Sequence, residues 1–136
     1  MGPTHYNLVI LIILMGVLIT PKVIVSAHFG YNVTVTNGLQ QGEQLVFRCQ
    51  SKDTDLGYHH FSDTGASFSW VFKVNFLETT LYFCHFYWRD KTVSFPVFTV
   101  KNEGDCAYLV YWEVRSDGFY YHCDDDDSYY KHSWSN

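Results

Sequence analysis

Residues 49–57 read Cys49-Gln-Ser-Lys-Asp-Thr-Asp-Leu-Gly57 and contain the clearest structural signal in the chain. The run before them, Leu45-Val-Phe-Arg-Cys49, alternates apolar and polar residues as a half-buried β-strand does. It stops at two Asp residues, a Lys and a Gly, which favour turns because Asp carboxylates bind nearby backbone N–H groups and Gly accepts positive φ. The stretch therefore predicts a strand that ends in a cysteine, followed by a polar surface turn.

The same two-residue alternation recurs along the chain, and no amphipathic helical pattern competes with it. In the first such run, Val33 and Val35 share one face while Asn32, Thr34 and Thr36 share the other. About seven to eight short strands at regular spacing predict an all-β fold, a small antiparallel β-sandwich. The predicted strands cover residues 32–36, 45–49, 68–74, 81–88, 93–100, 108–115 and 119–123.

Two of these runs carry more specific expectations. Residues 81–88 are apolar or aromatic on both faces and predict a central strand covered on both sides, with His85 as a satisfied core histidine. Pro96 interrupts residues 93–100, and because proline cannot donate to a ladder, this run predicts an edge strand or a bulge.

The amino terminus has the composition of an export signal. Residues 8–19 are almost purely apolar, but they are too few to span a ~30 Å hydrocarbon core as a helix. They are followed by Val25-Ser26-Ala27, which has small or modest residues where a signal peptidase reads. The pattern predicts a secretory signal peptide over residues 1–27, with a retained membrane anchor as the alternative. Residues 28–136 then form a single domain with a short acidic, Tyr-rich tail.

Cysteine usage and a sequon agree with export. The four cysteines, Cys49, Cys84, Cys106 and Cys123, predict two disulfides, because a secreted chain folds in an oxidising compartment. Asn32-Val33-Thr34 is an N-glycosylation sequon on the outward face of the first predicted strand.

Charge and motifs argue against several classes of function. The net charge is −5, and no segment clusters Lys and Arg with aromatic residues, so nucleic-acid binding is not expected. Neighbouring His59 and His60 point to opposite faces of a strand, and the Asp run 124–127 lacks the spacing of an EF-hand loop, so no metal or cofactor is expected. No nucleophile elbow occurs, and the acids Glu43, Glu78, Glu103 and Glu113 are scattered. No catalytic residue is predicted.

The aromatic content, 19%, has two interpretations. The favoured one is that Phe, Trp and Tyr fill the core of the sandwich. The alternative is that some of them, such as Tyr58, Tyr87 or Tyr129, are exposed and bind a sugar or a receptor.

As a literal string, residues 49–57 resemble the Cys-x-Ser-Lys-Asp-Asp-Asp-Leu-Gly block of the plant self-incompatibility proteins, the S-protein homologues. Residues 68–76 resemble the family's aromatic strand followed by an Asn, and residues 79–84, Thr-Thr-Leu-Tyr-Phe-Cys, resemble its next block. Cys106, Trp112 and residues 117–120, Asp-Gly-Phe-Tyr, resemble its carboxy-terminal pattern. Many members carry a cysteine near the position of Val110, where this chain instead has Cys123.

The resemblance implies a small extracellular β-sandwich that acts as a cell–cell signalling ligand and is recognised by a cell-surface receptor. Candidate contact loops are residues 53–60, 90–92 and 101–105. The alternative is a secreted carbohydrate-binding or cell-wall-interacting module whose partners are cell-wall glycans. After signal cleavage no membrane association is expected.

Four cysteines allow three pairings, and the sequence does not choose among them. We expect Cys84–Cys106 and Cys49–Cys123, an arrangement in which Cys123 replaces the family's cysteine near Val110.

Overall fold

The computed structural model describes residues 30–103, 106–124 and 127–135, which form nine strands and one short helix. The predicted signal peptide and its cleavage point lie outside the described residues. The strands are β1 (Tyr31–Asn37), β2 (Leu45–Gln50), β3 (Asp55–Phe61), β4 (Ser67–Phe72), β5 (Leu81–Trp88), β6 (Lys91–Thr99), β7 (Leu109–Arg115), β8 (Gly118–Cys123) and β9 (Tyr129–His132); the helix is α1 (Val100–Glu103).

The strands form two sheets, which confirms the predicted all-β class. One sheet has the order β4-β1-β7-β8-β9 and the other has the order β3-β2-β5-β6. One ladder departs from the antiparallel pattern, because β1 and β7 pair in parallel. In the sequence, β4 and all the strands of the four-stranded sheet lie between β1 and β7. Strand β7 then runs beside β1 in the same direction.

The core lies between the inner faces of the two sheets. The predicted alternation holds in β1 and β2, where Val33, Val35, Leu45, Phe47 and Cys49 are all fully buried. Phe, Trp and Tyr rings from both sheets contact one another across this layer, for example at Phe86–Phe119 and Phe95–Trp112.

Strand β5 is central in its sheet as predicted, since it pairs with β2 and β6. Only one of its faces is covered, because Leu81 and Tyr87 on the other face are exposed. His85 is on that outer face with its ring edge against Phe83, so the expectation of a core histidine is wrong. A central position in a sheet does not require cover on both faces.

Both structures predicted from Pro96, an edge strand and a bulge, are present. Strand β6 is an edge strand, and its register with β5 shifts between Tyr82 and Phe83, whose partners are Phe98 and Pro96. The bulge leaves Val97 without a cross-strand partner.

Two strands are additional to the predicted set. Strand β3 begins after a tight turn in which Ser51 N–H donates to Thr54 O at 2.8 Å, so the turn occupies only residues 51–54. Its Gly57 has φ 77° close to a register shift, which explains why turn-forming residues occur within a strand.

Strand β9 belongs to the segment predicted as a tail. His132 stacks on Phe95 of β6 with ring centroids 4.2 Å apart, and Trp134 packs on Trp88 at 5.6 Å. Ser135 forms an isolated bridge with Thr92, so the carboxy-terminal residues of one sheet reach the edge of the other.

All four cysteines lie in disulfides, but the expected pairing is wrong. The disulfides are Cys49–Cys84, with Cα atoms 4.1 Å apart, and Cys106–Cys123, with Cα atoms 5.6 Å apart. Cys49 and Cys84 are direct cross-strand partners in β2 and β5. Cys123 ends β8 of the five-stranded sheet, and Cys106 shortly precedes β7, the strand that pairs with β8. Each cysteine is therefore bonded to a partner on its own side of the sandwich, and none of the four is left for a bond between the sheets.

Candidate functional site

The connections of the sandwich gather at its two ends. One end, here called the loop end, carries the β2–β3 turn (51–54), the β4–β5 loop (73–80) and α1. The predicted contact segments do not all meet there. Asp90 lies at the opposite end in the β5–β6 turn, and Lys91 and Thr92 are the first residues of β6. Residues 55–60 are strand β3 rather than a loop. Of the segment 101–105, residues 104 and 105 lie outside the described residues.

The 73–80 loop is fixed by one side chain. Asn75 donates from Nδ2 to Thr79 Oγ1 and accepts from Thr79 N–H at Oδ1, both at 2.8 Å, while its own N–H donates to Thr80 Oγ1 at 2.8 Å. These bonds hold the loop while it turns through Glu78, whose φ is 56°.

Two apolar side chains project from this loop. Phe76 is 99% exposed and Leu77 is 75% exposed, which makes them the most exposed large apolar residues among those described. Sequence reasoning missed them because it assigned residues 68–76 to an aromatic strand and its flanking Asn. The usable signal was Asn75 followed by Thr79 and Thr80, since Asn and Thr side chains characteristically stabilise local turns.

A cleft of about 400 Å³ lies beside the loop. One wall is the β2–β3 turn with Ser51 and Lys52, and the other contains Lys73, Thr79 and Thr80. Its apolar part is formed by Phe72, Leu81, Tyr82 and Phe83.

A buried acid, Glu103, lies in helix α1 at the loop end. Glu103 is 3% exposed, and its carboxylate accepts the Thr99 backbone N–H at 2.6 Å. Burial raises the pKa of Glu103, and the bonds from Thr99 oppose that rise. Because Glu103 holds the start of its own helix, its role is structural.

The three tyrosines named in the alternative are exposed, so the favoured expectation that they fill the core is wrong for them. Tyr58 and Tyr87 lie on the outer face of the four-stranded sheet, while Tyr129 lies on β9 of the other sheet. Tyr58 also has the Arg48 guanidinium over its ring at 5.2 Å. The three tyrosines therefore do not all lie on one sheet.

Arg48 itself is held by Asp55. The two side chains form an ion pair on the outer face, and the hydrogen bond from Arg48, together with that from Gly57 N–H, lowers the pKa of Asp55 to about 2. This pair fixes the start of β3 against β2.

The acids and histidines considered for chemistry are dispersed, and most of them have structural partners. The Glu43 carboxylate accepts from Trp88 Nε1 and from the Arg89 guanidinium, and the bond from Arg89 lowers the pKa of Glu43. His59 stacks on Phe68 at 3.8 Å, and His122 stacks on Tyr111 at 4.4 Å. Within residues 30–103, 106–124 and 127–135, no group of three His, Cys, Asp or Glu side chains is placed to hold a metal ion. No helix in the described part of the chain is long and apolar enough to cross a membrane.

Comparison with known proteins gives the family. The protein-family model described as "Plant self-incompatibility protein S1" matches residues 32–134. The chain belongs to this family. S-protein homolog 29 of Arabidopsis thaliana is 34% identical over 101 residues, which cover 69% of this chain and 73% of the relative. S-protein homolog 18 of Arabidopsis thaliana is 30% identical over 128 residues, which cover 87% of both chains.

A solved structure of an SPH (self-incompatibility protein homologue) has the same fold. It matches this member of the self-incompatibility family with a TM-score of 0.63 at 18% identity, covering 79% of this chain and 96% of the other. That structure is described as representing a widespread family of small, highly stable, secreted proteins from plants.

Proposed function

We propose that this protein is a secreted, non-catalytic ligand that a receptor protein on the plant cell surface recognises in cell–cell signalling. Its family membership and the description of the SPH structure as secreted support an extracellular location. Two disulfides are also consistent with folding in an oxidising compartment.

The observation that carries the proposal is the exposure of Phe76 and Leu77 on a loop that Asn75 holds in place. Burying one such side chain at an interface contributes roughly 1.5–3 kcal/mol. A loop that is already ordered loses less conformational freedom on binding, so more of this gain appears as affinity. Aromatic and aliphatic anchors of this kind are typical of the centre of a protein–protein interface.

Binding of the fluorescently labelled protein to intact plant protoplasts tests the proposal. We expect saturable binding that excess unlabelled protein displaces and that trypsin treatment of the protoplasts abolishes. The unlabelled double variant Phe76→Ser, Leu77→Ser should compete at least tenfold less well.

The matched control is Val71→Ser, which removes an exposed apolar side chain from the outer face of the five-stranded sheet. This variant should compete as the unchanged protein does. Binding that survives trypsin would indicate a lipid or glycan partner, and equal competition by the double variant would exclude the loop as the contact. Either result contradicts the proposal.

A further inference from the structure

The cleft beside the 73–80 loop has chemistry of its own, separate from the exposed Phe76 and Leu77. Its volume of about 400 Å³ is within the ~300–1,000 Å³ range typical of small-ligand sites. It is a concave site between two hydrogen-bonded turns, so its walls are ordered before any ligand arrives.

Three hydroxyl groups in the walls are oriented by accepting hydrogen bonds. Ser51 Oγ accepts from Thr54 N–H at 3.1 Å, Thr79 Oγ1 accepts from Asn75 Nδ2 and Thr80 Oγ1 accepts from Asn75 N–H. A hydroxyl has one donor in addition to its acceptor sites. In the described part of the chain none of these three O–H groups donates to another residue, so each is free to donate into the cleft.

Two cations flank the same space. Lys52 and Lys73 both line the cleft, both are exposed, and neither forms an ion pair with a described residue. Asp53 is the single acid among the lining residues. The cleft therefore offers mainly hydrogen-bond donors and a net positive charge, although the chain as a whole carries −5.

The floor is apolar. Phe72 and Tyr82 contact each other with ring centroids 4.6 Å apart, and the half-exposed Phe83 continues this surface. A ligand that fits must combine an apolar face with several acceptor oxygens and a negative charge. An acidic saccharide, a sugar ring that carries a carboxylate, has all three.

We propose that this cleft binds an acidic saccharide, with its carboxylate near Lys52 and Lys73 and its ring on the Phe72–Phe83 floor. The hydroxyls of Ser51, Thr79 and Thr80 donate to its ring and hydroxyl oxygens. This activity goes beyond the proposed receptor recognition and does not depend on it.

Titration of ¹⁵N-labelled protein with trigalacturonate tests the site directly. The backbone amides of residues 51–54 and 79–83 should shift in a saturable manner. The fully methyl-esterified trisaccharide, which has the same rings without the charge, should bind at least tenfold more weakly. Raising the salt concentration from about 0.05 to about 0.5 M should weaken binding of the acid form, because salt screens exposed charges.

Paired variants separate the site from the overall charge. Lys52→Gln, Lys73→Gln should weaken trigalacturonate binding at least tenfold. Lys91→Gln, Lys131→Gln makes the same change in net charge at lysines outside the cleft lining and should leave affinity within twofold. Thermal melts of both variants check that each is folded.

Four results overturn the proposal: equal affinity for the esterified trisaccharide, equal affinity for inorganic phosphate, shifts outside the cleft amides, or no effect of the Lys52 and Lys73 changes. The Phe76→Ser, Leu77→Ser variant should bind trigalacturonate normally, and the Lys52→Gln, Lys73→Gln variant should compete normally on protoplasts. Failure of the saccharide site is therefore distinguishable from failure of receptor recognition.

Discussion

Cys49 lies directly opposite Cys84 in the ladder between β2 and β5, and the disulfide between them joins neighbouring strands of one sheet. Both residues are fully buried. The second disulfide, Cys106–Cys123, closes the approach to β7 against the end of β8. Each disulfide thus stabilises one sheet, and neither of them joins the two sheets.

This arrangement predicts the outcome of disulfide mapping and of removing each bridge. Digestion without reduction should release a Cys49–Cys84 peptide and a Cys106–Cys123 peptide. In the chain-entropy model, loss of the first bridge, which spans 35 residues, costs about 4 kcal/mol, and loss of the second, which spans 17, costs about 3 kcal/mol. Urea unfolding of the paired Cys→Ala variants measures both losses. A Cys84–Cys106 peptide would contradict the pairing.

A second prediction concerns Asp124, which follows Cys123. Its carboxylate accepts three backbone N–H groups, from Ala107 at 2.6 Å and from Tyr108 and Leu109 at 2.9 Å each. Desolvation opposes ionisation, but these bonds prevail and lower the pKa of Asp124. Asp124→Asn should lower the free energy of unfolding at pH 7 by roughly 1.5–3 kcal/mol, as expected for bonds to a charged group.

The pH dependence of that loss follows from the direction of the shift. Because the pKa is lower in the folded state, the stabilisation is present above the unfolded value of 3.8 and is lost as pH falls through the folded value. The difference between the two proteins should therefore shrink below pH 3.8. Asp53→Asn, on the exposed turn, is the control. A constant difference down to pH 2 would show that the carboxylate charge is not responsible.

A third prediction concerns His132, whose ring stacks on Phe95 and lies 6.0 Å from the Trp112 ring. Burial, with a smaller contribution from Lys131, lowers the pKa of His132 below its ordinary 6.5. The unfolded chain then binds a proton first, so this group makes stability fall as pH decreases from 6.5 towards the lowered pKa. His132→Gln should flatten that part of the stability curve, measured by urea unfolding at several pH values. A His132→Gln protein with the same slope as the unaltered protein would contradict this prediction.

A fourth prediction is a glycan at Asn32. This residue lies on the outer face of β1, with Val71 opposite it on one side and Leu109 on the other. Protein secreted from plant cells should run faster on a gel after enzymatic removal of N-glycans, and the Asn32→Gln variant should run at the faster position without treatment. An unchanged mobility of the unaltered protein after treatment would rule the glycan out.

Strands were predictable where one face is buried and the other is exposed to solvent. The apolar positions of β1 and β2 were predictable because Val33, Val35, Leu45 and Phe47 all enter one core. Strand β3 was not predictable by the same rule, because its sequence contains Asp55 and Gly57, which are typical of turns. In the structure Asp55 pairs with Arg48, and Gly57 lies at a register shift in the β2–β3 ladder. The sequence of β5 is apolar on both faces, so it does not show which face packs against the other sheet. The position of His85 on the outer face therefore could not be predicted.

The candidate site was less predictable than the fold. Composition located the polar turn at residues 51–54, but its position beside the 73–80 loop follows from the pairing of Gln50 with Phe83 in the β2–β5 ladder. The exposure of Phe76 depends on the hydrogen bonds of Asn75, which are invisible to a hydrophobicity pattern. Similarly, the choice among three disulfide pairings depended on strand order.

The contact between Trp134 and Trp88 and the bridge from Ser135 to Thr92 have a practical consequence for anyone producing this protein. These residues join the last part of the chain that the structure describes to the edge strand β6 of the four-stranded sheet. A chain shortened before Trp134 would therefore expose the ring faces of Trp88 and Phe119 that Trp134 covers.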